Sequence, residues 1–255
     1  MRASARLRGG AHVELDLRDR IQGTTFLTRD YEPALVRFLA SKLATGGVFV
    51  DVGAHVGLVS LSVACRCRSG VQVHAFEPDP ENAAGFQRNI ELNPALNVVL
   101  NQLAVGASDG SAVLRRVSKQ ERACAAIVDS ANPGRTDELE VDCTSLAAYV
   151  EERGISEIEV LKIDVEGYEP LVFDGVEPLL REGRVNWVVF EVNDQRLAEK
   201  GSSREALFDR LRRHGYRRVR IPQLGLRRII PRPARKVPDE DVAFHLDPSG
   251  APSSP

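Results

Sequence analysis

The chain has 255 residues, 43% of them hydrophobic and 27% charged, with a formal net charge of −2. That length buries one sizeable core and argues against a second full domain, and the near-neutral balance supplies no field that would call for nucleic acid or an acidic membrane as partner. No apolar run approaches a membrane span, the arginine-bearing start lacks the apolar core of a secretory signal, and Cys65, Cys67, Cys124 and Cys143 show no metal spacing, so reduced thiols in a cytoplasmic protein are expected.

In chain order, the first thirty residues offer one short strand, His12–Leu17, whose alternation predicts one wet face and a role as a cap on a sheet edge or the cofactor cleft. Asp30-Tyr31-Glu32-Pro33 then opens a helix, with Pro33 placed where a missing N–H costs nothing. Leu35, Val36, Leu39 and Leu43 keep helical spacing until Gly46-Gly47 stops it. The apolar run Val48-Phe49-Val50-Asp51-Val52 predicts a strand buried on both faces; Gly53-Ala54-His55-Val56-Gly57 predicts a tight turn, and Leu58–Ala64 a helix. Glycines at 53 and 57 give backbone freedom and close approach, so a nucleotide-like cofactor over the first helical turn is the first hypothesis.

A dinucleotide turn wants glycines in a G-x-G-x-x-G pattern, but His55 and Leu58 occupy the second and third of those places. Asp51 would repel a diphosphate, whereas it can accept from an ammonium group directly or through water. Both points favour S-adenosylmethionine, which carries a sulfonium and an ammonium and no phosphate. One strand later, Val71–Phe76 ends at Glu77-Pro78-Asp79, which makes Glu77 the expected ribose ligand.

The stretches VFVDVGAHVGLVSL, HAFEPDPENAAGFQRNIELN and LKIDVEGYEPLVFDG, in that order, resemble the FkbM family of class I methyltransferases. The likeness runs from about Tyr31 to about Asn193. It implies an α/β, Rossmann-like, doubly wound sheet of about seven mostly parallel strands with an antiparallel C-terminal hairpin. It also implies S-adenosylmethionine as cofactor and S-adenosylhomocysteine as product. Tyr31 and Glu32 resemble residues that lead into the same helix in the family, and His55 stands where the family more often carries asparagine. The exit of the third strand, Asn97–Gly106, flanks the adenine in class I methyltransferases, which makes Ala104 and Val105 candidates there. The cofactor set is therefore Asp51, Gly53, Ala54, His55, Val56, Gly57, Glu77, Pro78, Ala104, Val105 and Asp164.

Farther along, Pro80 to about Asn93 reads as a helix, and 113–141 loses periodicity and gains charge, with Asn132-Pro133-Gly134 marking a turn; a hairpin or lid over the substrate is expected there. Thr144 or Ser145 caps a helix from Leu146 to Arg153. Ile158–Ile163 predicts a fourth strand beside the first, and its carboxyl end carries Asp164 and Glu166. A helix follows from Glu169-Pro170, and Asn186–Asn193 predicts a fifth strand holding Glu191. Ser202-x-x-Glu205 reads as a capping box for a helix through His214. Tyr216–Ile221 and Val242–Leu246 read as a closing hairpin, with 247–255 as a disordered tail. One domain over 31–246, capped by 1–30, accounts for all of this.

Arg217 to Lys236 holds eight basic residues and no acidic one. It reads either as a solvated loop or as a surface for an anionic or carrier-bound substrate; the lack of interleaved aromatics disfavours nucleic acid. Methyl transfer requires in-line placement of the acceptor, and a hydroxyl acceptor also needs its proton removed. Asp164 leads as base, followed by Glu166 and Glu191; no metal is assigned. The expected activity is methyl transfer to a hydroxyl of a small molecule, a sugar or natural-product intermediate. The alternatives are N-methylation, a carrier- or peptide-bound acceptor, a dinucleotide-dependent oxidoreductase, and a non-catalytic module binding an anionic macromolecule.

Overall fold

The structure, a computed structural model, describes residues 1–67, 70–116, 126–128, 137–221 and 240–247. It begins with an antiparallel pair, β1 (Arg2–Arg6) and β2 (His12–Asp16), in which Arg2 faces Asp16. The helix α1 (Arg20–Thr28) follows, its first turn capped by the Asp19 side chain accepting from the Gln22 N–H. Neither β1 nor α1 is marked by periodicity in the sequence. The outer edge of β2 is covered by a helix, α4 (Pro80–Glu91), and the turn after it. There the His12 N–H donates to Asn93 Oδ1 at 2.9 Å and the Glu14 N–H to Asn89 Oδ1 at 2.7 Å. The Asn93 amide returns a bond to the His12 carbonyl, and the Asn89 amide donates to the Val56 carbonyl at 2.9 Å.

The central sheet has seven strands: β3 (Gly47–Val52), β4 (Val71–Phe76), β5 (Val98–Asn101), β10 (Ile158–Ile163), β11 (Val185–Val192), β12 (Tyr216–Val219) and β13 (Glu240–Leu246). Their order is β12-β13-β11-β10-β3-β4-β5, parallel throughout except for β13, which runs antiparallel to both neighbours. The expected doubly wound sheet and closing hairpin are what the chain forms. Apolar β-branched runs suit these strands because helices cover both faces. On one face α5 (Leu146–Glu152), α6 (Glu169–Arg181) and α8 (Arg204–Arg213) bury Phe173, Phe190 and Phe244. On the other, α2 (Pro33–Lys42) and α3 (Leu58–Cys67) bury Leu39, Phe49 and Leu61. A short helix, α7 (Asp194–Glu199), separates β11 from α8.

Two local expectations change. The third strand divides at Gln102: β5 stays in the main sheet, while β6 (Ala104–Gly106) leaves it to pair in parallel with β9 (Glu138–Ser145). β9 also pairs antiparallel with β7 (Gly110–Arg115), which carries β8 (Ala126–Val128), so a four-stranded sheet rises over the carboxyl edge of the main one. Much of the anticipated 113–141 hairpin, with the Asn132-Pro133-Gly134 turn, lies outside the described residues. Finally, α8 is capped by Ser203, which accepts from the Ala206 N–H, one residue later than the predicted box. The junction between β3 and β10, where the chain reverses its winding direction, opens a crevice at the carboxyl ends of the strands.

Candidate active site

A cavity fills that crevice, walled by Gly53, His55 and Glu77 on one side, Ala104 and Leu114 on another, and Asp164 at one end. The turn after β3 is held by backbone bonds from the Gly53 and Ala54 N–H groups to the Phe76 carbonyl, both 3.0 Å. Gly53 has φ +80°, and a Cβ there would stand 1.9 Å from the Asp164 carbonyl oxygen. Its bare backbone thus serves the approach of β10 as much as that of a ligand. At Gly57, φ +81°, a Cβ would lie 2.1 Å from the Phe86 ring, so this glycine admits α4. His55 takes φ +52°, a conformation uncommon outside glycine, and its N–H is fixed by Glu77.

Glu77 closes the turn from the neighbouring strand. Its Oε2 accepts from the His55 N–H at 2.8 Å, and its Oε1 from the Asp79 N–H at 3.0 Å and the Asn82 amide at 3.2 Å. Burial pushes its carboxyl up to about 7 against the opposing pull of those donors. The carboxylate faces the cavity with acceptor capacity in hand, since two oxygens offer roughly four lone-pair sites. Asp79 caps α4 by accepting from the Glu81 N–H, and it also binds Arg116 at 2.5 and 3.0 Å, fastening the end of β7 to the same loop.

At the other end, β10 and β3 are in parallel register with Lys162 beside Asp51. Lys162 Nζ donates to Asp51 Oδ1 at 3.0 Å and lies 3.4 Å from Asp164 Oδ2, while Ser60 donates its hydroxyl proton to Asp51 Oδ2 at 2.6 Å. Burial opposes the ammonium charge, but the carboxylates of Asp51, Asp164 and Glu32 outweigh it and hold Lys162 well above its ordinary range. Asp164 keeps 30% of its side chain exposed. Glu166, at φ +58°, faces the cavity and pairs with Arg196 at 3.0 Å. Behind them, Glu169 accepts from the Gly167 N–H at 3.2 Å and is pushed up to about 7, chiefly by burial. Glu32, at φ +43° before α2, is pushed up to about 8 by burial and by Asp241 and Asp164. Tyr31 lines the cavity, and its hydroxyl is raised by burial and then by Glu32, Asp164, Glu191 and Asp241.

Of the predicted residues, Gly53, Ala54, His55, Glu77, Pro78, Ala104, Val105, Asp164 and Glu166 converge on this cavity. Four do not. Asp51 is fully buried inside the sheet, its oxygens taken by the Lys162 ammonium and the Ser60 hydroxyl, and it does not line the cavity. Val56 packs inward with its carbonyl on Asn89, and Gly57 faces Phe86. Glu191 stands behind the wall, near Tyr31 and opposite Asp241 in the ladder. Leu103, Leu114, Tyr168 and Lys162 line the cavity without having been anticipated. The lysine had a signal, a cation inside an otherwise apolar strand. Of the basic stretch 217–236, only 217–221 is described; Arg217 pairs with Asp247 at 2.9 Å and Arg218 lies over the Phe208 ring. Among the described residues no group of acids, histidines and cysteines forms a metal site, and no helix is long and apolar enough to cross a membrane.

Comparisons with known proteins agree with this geometry. The profile described as the methyltransferase FkbM domain matches residues 51–218. The chain is 31% identical over 179 residues to the 31-O-demethyl-FK506 methyltransferase FkbM of Streptomyces tacrolimicus, covering 60% of this chain and 68% of that one. It is 27% identical over 210 residues to the AMB antimetabolite synthetase AmbE of Pseudomonas aeruginosa, covering 68% of this chain but 10% of that one. It is 26% identical over 163 residues to the hexuronic acid methyltransferase AglP of Haloferax volcanii, covering 64% and 62%. The matched region is thus a small part of AmbE and less than two thirds of AglP. In fold, the chain is similar to a SAM-dependent methyltransferase from Agrobacterium tumefaciens (TM-score 0.51, 10% identity, 97% and 70% covered). It is likewise similar to the methyltransferase domain of METTL16 (TM-score 0.51, 14% identity, 94% and 74% covered).

Proposed function

The chain belongs to the FkbM methyltransferase-domain family, and on that premise we propose that it transfers a methyl group from S-adenosylmethionine to a hydroxyl of a small molecule, a sugar or a natural-product intermediate. The observation that carries this is the convergence of two acids on a single cavity: Glu77 at the end of β4 and Asp164 at the end of β10. The donor set fits the cofactor. Glu77 offers acceptor oxygens to a ribose diol, Ala104 and Val105 offer an apolar wall to adenine, and Asp164 and Glu166 favour positive charge at the far end. The cavity lacks the glycine pattern that brings backbone against a pyrophosphate, which supports a cofactor without phosphate.

When bound, S-adenosylmethionine supplies a methyl group already activated on a sulfonium. The chain's part is then to hold the acceptor in line and to dispose of a proton. Asp164 stands at the transfer end with a partly exposed carboxylate, so it takes the hydroxyl proton on an Oδ atom as the oxygen forms its new bond, and it passes that proton to solvent. Leu114 and Tyr168 exclude water from the cavity beside it. The names of FkbM and AglP support an oxygen acceptor on a macrolide or a sugar acid.

Titration calorimetry tests the cofactor assignment. Both S-adenosylmethionine and S-adenosylhomocysteine should bind in the low micromolar range, on the order of −8 kcal/mol, and NADH should not bind. A folded protein that takes up neither would overturn the reading. Incubation with candidate acceptors, read by mass and by the atom that bears the new methyl group, separates a hydroxyl from an amine acceptor.

A further inference from the structure

A lysine in the middle of a buried parallel strand is costly, because an ammonium ion loses its water there unless carboxylates replace it. Lys162 is 4% exposed, and its Nζ spans two acids of different kinds. Asp51 is fully buried and has a second donor in Ser60, at 2.6 Å. Asp164 is open to the cavity, and among the described residues Lys162, at 3.4 Å, is the side chain that holds its carboxylate. Had Asp51 and Lys162 served only to join two strands, a hydrophobic pair would have done so at least as well. What requires a charge is the place of the ammonium between a core acid and a cavity acid.

We propose that Lys162 is a positioning residue for the transfer step: anchored by Asp51 and Ser60, it fixes the orientation of the Asp164 carboxylate at the cavity wall and offsets the negative charge gathered there. This rests on Asp164 being the acid at the transfer centre. The surrounding groups show why an offset is needed. Glu32 approaches from the start of α2, Asp51 from β3, Glu166 with its partner Arg196 from the turn after β10, Glu169 from the first turn of α6, Glu191 from β11 and Asp241 from β13. Among the described residues Lys162 is the cation in contact with Asp164, so losing it changes where Asp164 points and the balance of charge beside it.

S-adenosylmethionine and S-adenosylhomocysteine differ by a methyl group and one positive charge, so the ratio of their affinities reads the charge at the transfer centre without an acceptor. Lys162→Met alone strands Asp51 and should lower the melting temperature; Asp51→Asn with Lys162→Met should restore most of it. In that double variant, calorimetry should show S-adenosylhomocysteine affinity within about threefold of wild type. The preference for S-adenosylmethionine should change at least about threefold, in the direction given by Asp164→Asn. Ser60→Ala, which loosens the anchor without stranding a charge, should give a smaller shift of the same sign and serves if the double variant does not fold. If Asp164→Asn changes the ratio while the double variant and Ser60→Ala behave as wild type, Lys162 merely balances Asp51 and the proposal fails. If Asp164→Asn leaves the ratio unchanged, Asp164 is not at the transfer centre and the proposal falls with that reading.

Discussion

The turn after β3 and the turn after β10 lie side by side at the sheet edge, yet they are built in opposite ways. In the first, every polar contact is spent on holding shape: the Gly53 and Ala54 N–H groups on Phe76, the His55 N–H on Glu77, the Val56 carbonyl on Asn89. In the second, acids reach the cavity, Asp164 part-exposed and Glu166 paired with Arg196. Unfavourable backbone geometry persists where surroundings over-determine it, and it gathers at functional sites. Among the described non-glycine residues with positive φ, His55, Glu32 and Glu166 all stand at or beside the cavity. A holder and a working end thus meet where Gly53 stands against the Asp164 carbonyl and the Asp164 N–H donates to the Val52 carbonyl at 3.0 Å.

Four measurements would break or sharpen that contrast. The largest effect belongs to the working end: Asp164→Asn should slow single-turnover transfer to an identified acceptor by roughly 10² to 10⁴, with a much smaller change in cofactor affinity. A normal rate with collapsed affinity would reassign Asp164 to the holder. Next, Gly57→Ala should cost roughly 3 kcal/mol or more of stability in urea unfolding, because its Cβ would stand 2.1 Å from the Phe86 ring at φ +81°. A fully stable variant with lost binding would show that this glycine serves the ligand after all. Third, Glu77→Ala should weaken S-adenosylhomocysteine binding at least about tenfold, the loss expected for charge-assisted bonds of about 1.5 to 3 kcal/mol. Less than a twofold change would leave Glu77 with its turn alone.

The smallest effect is a pair of opposite slopes. With the Glu77 carboxyl held near about 7, above its unfolded value, the folded unliganded state binds the extra proton. Its stability is therefore greatest below the unfolded value and is lost as pH rises through about 7, with Glu169, also near about 7, and Glu32, near about 8, adding to the loss. A ribose diol needs the carboxylate as acceptor, so cofactor affinity should rise over the same window, about threefold between roughly pH 6.5 and pH 7.5. Thermal melting of the unliganded protein against calorimetry of the complex checks both signs; parallel slopes would remove Glu77 from the contact.

The holder was far more legible in the sequence than the working end. Apolar runs such as Val48–Val52 and Val71–Phe76 declare themselves because both faces of a parallel strand are buried, and glycines and an acid mark where such a run must turn. Which way each side chain points after the turn is settled by tertiary contact. Asp51 read as a ligand because its partner lies 111 residues away on β10, and Lys162 went unread because one lysine does not interrupt the pattern of a strand. Glu191 shared the pattern of Asp164 but sits one strand farther from the switch. The small sheet over the cavity was split between two readings, Ala104–Gly106 as the exit of the third strand and 113–141 as fading periodicity, since a three-residue strand is too short to show a period of its own.

The amides that close the outer side of β2 have a consequence for colloidal behaviour. Two side chains one helical turn apart are separated by about 6 Å along the helix, close to the roughly 6.8 Å between alternate residues of a strand, so Asn89 and Asn93 meet the His12 and Glu14 N–H groups in register. Two side-chain amides thereby stand in for a neighbouring strand. An open strand edge would recruit another chain and seed intermolecular sheets. Here the β2 edge is spent within the molecule, and it is spent on the same asparagine that grips the Val56 carbonyl, so the contact that closes this edge also braces the turn after β3.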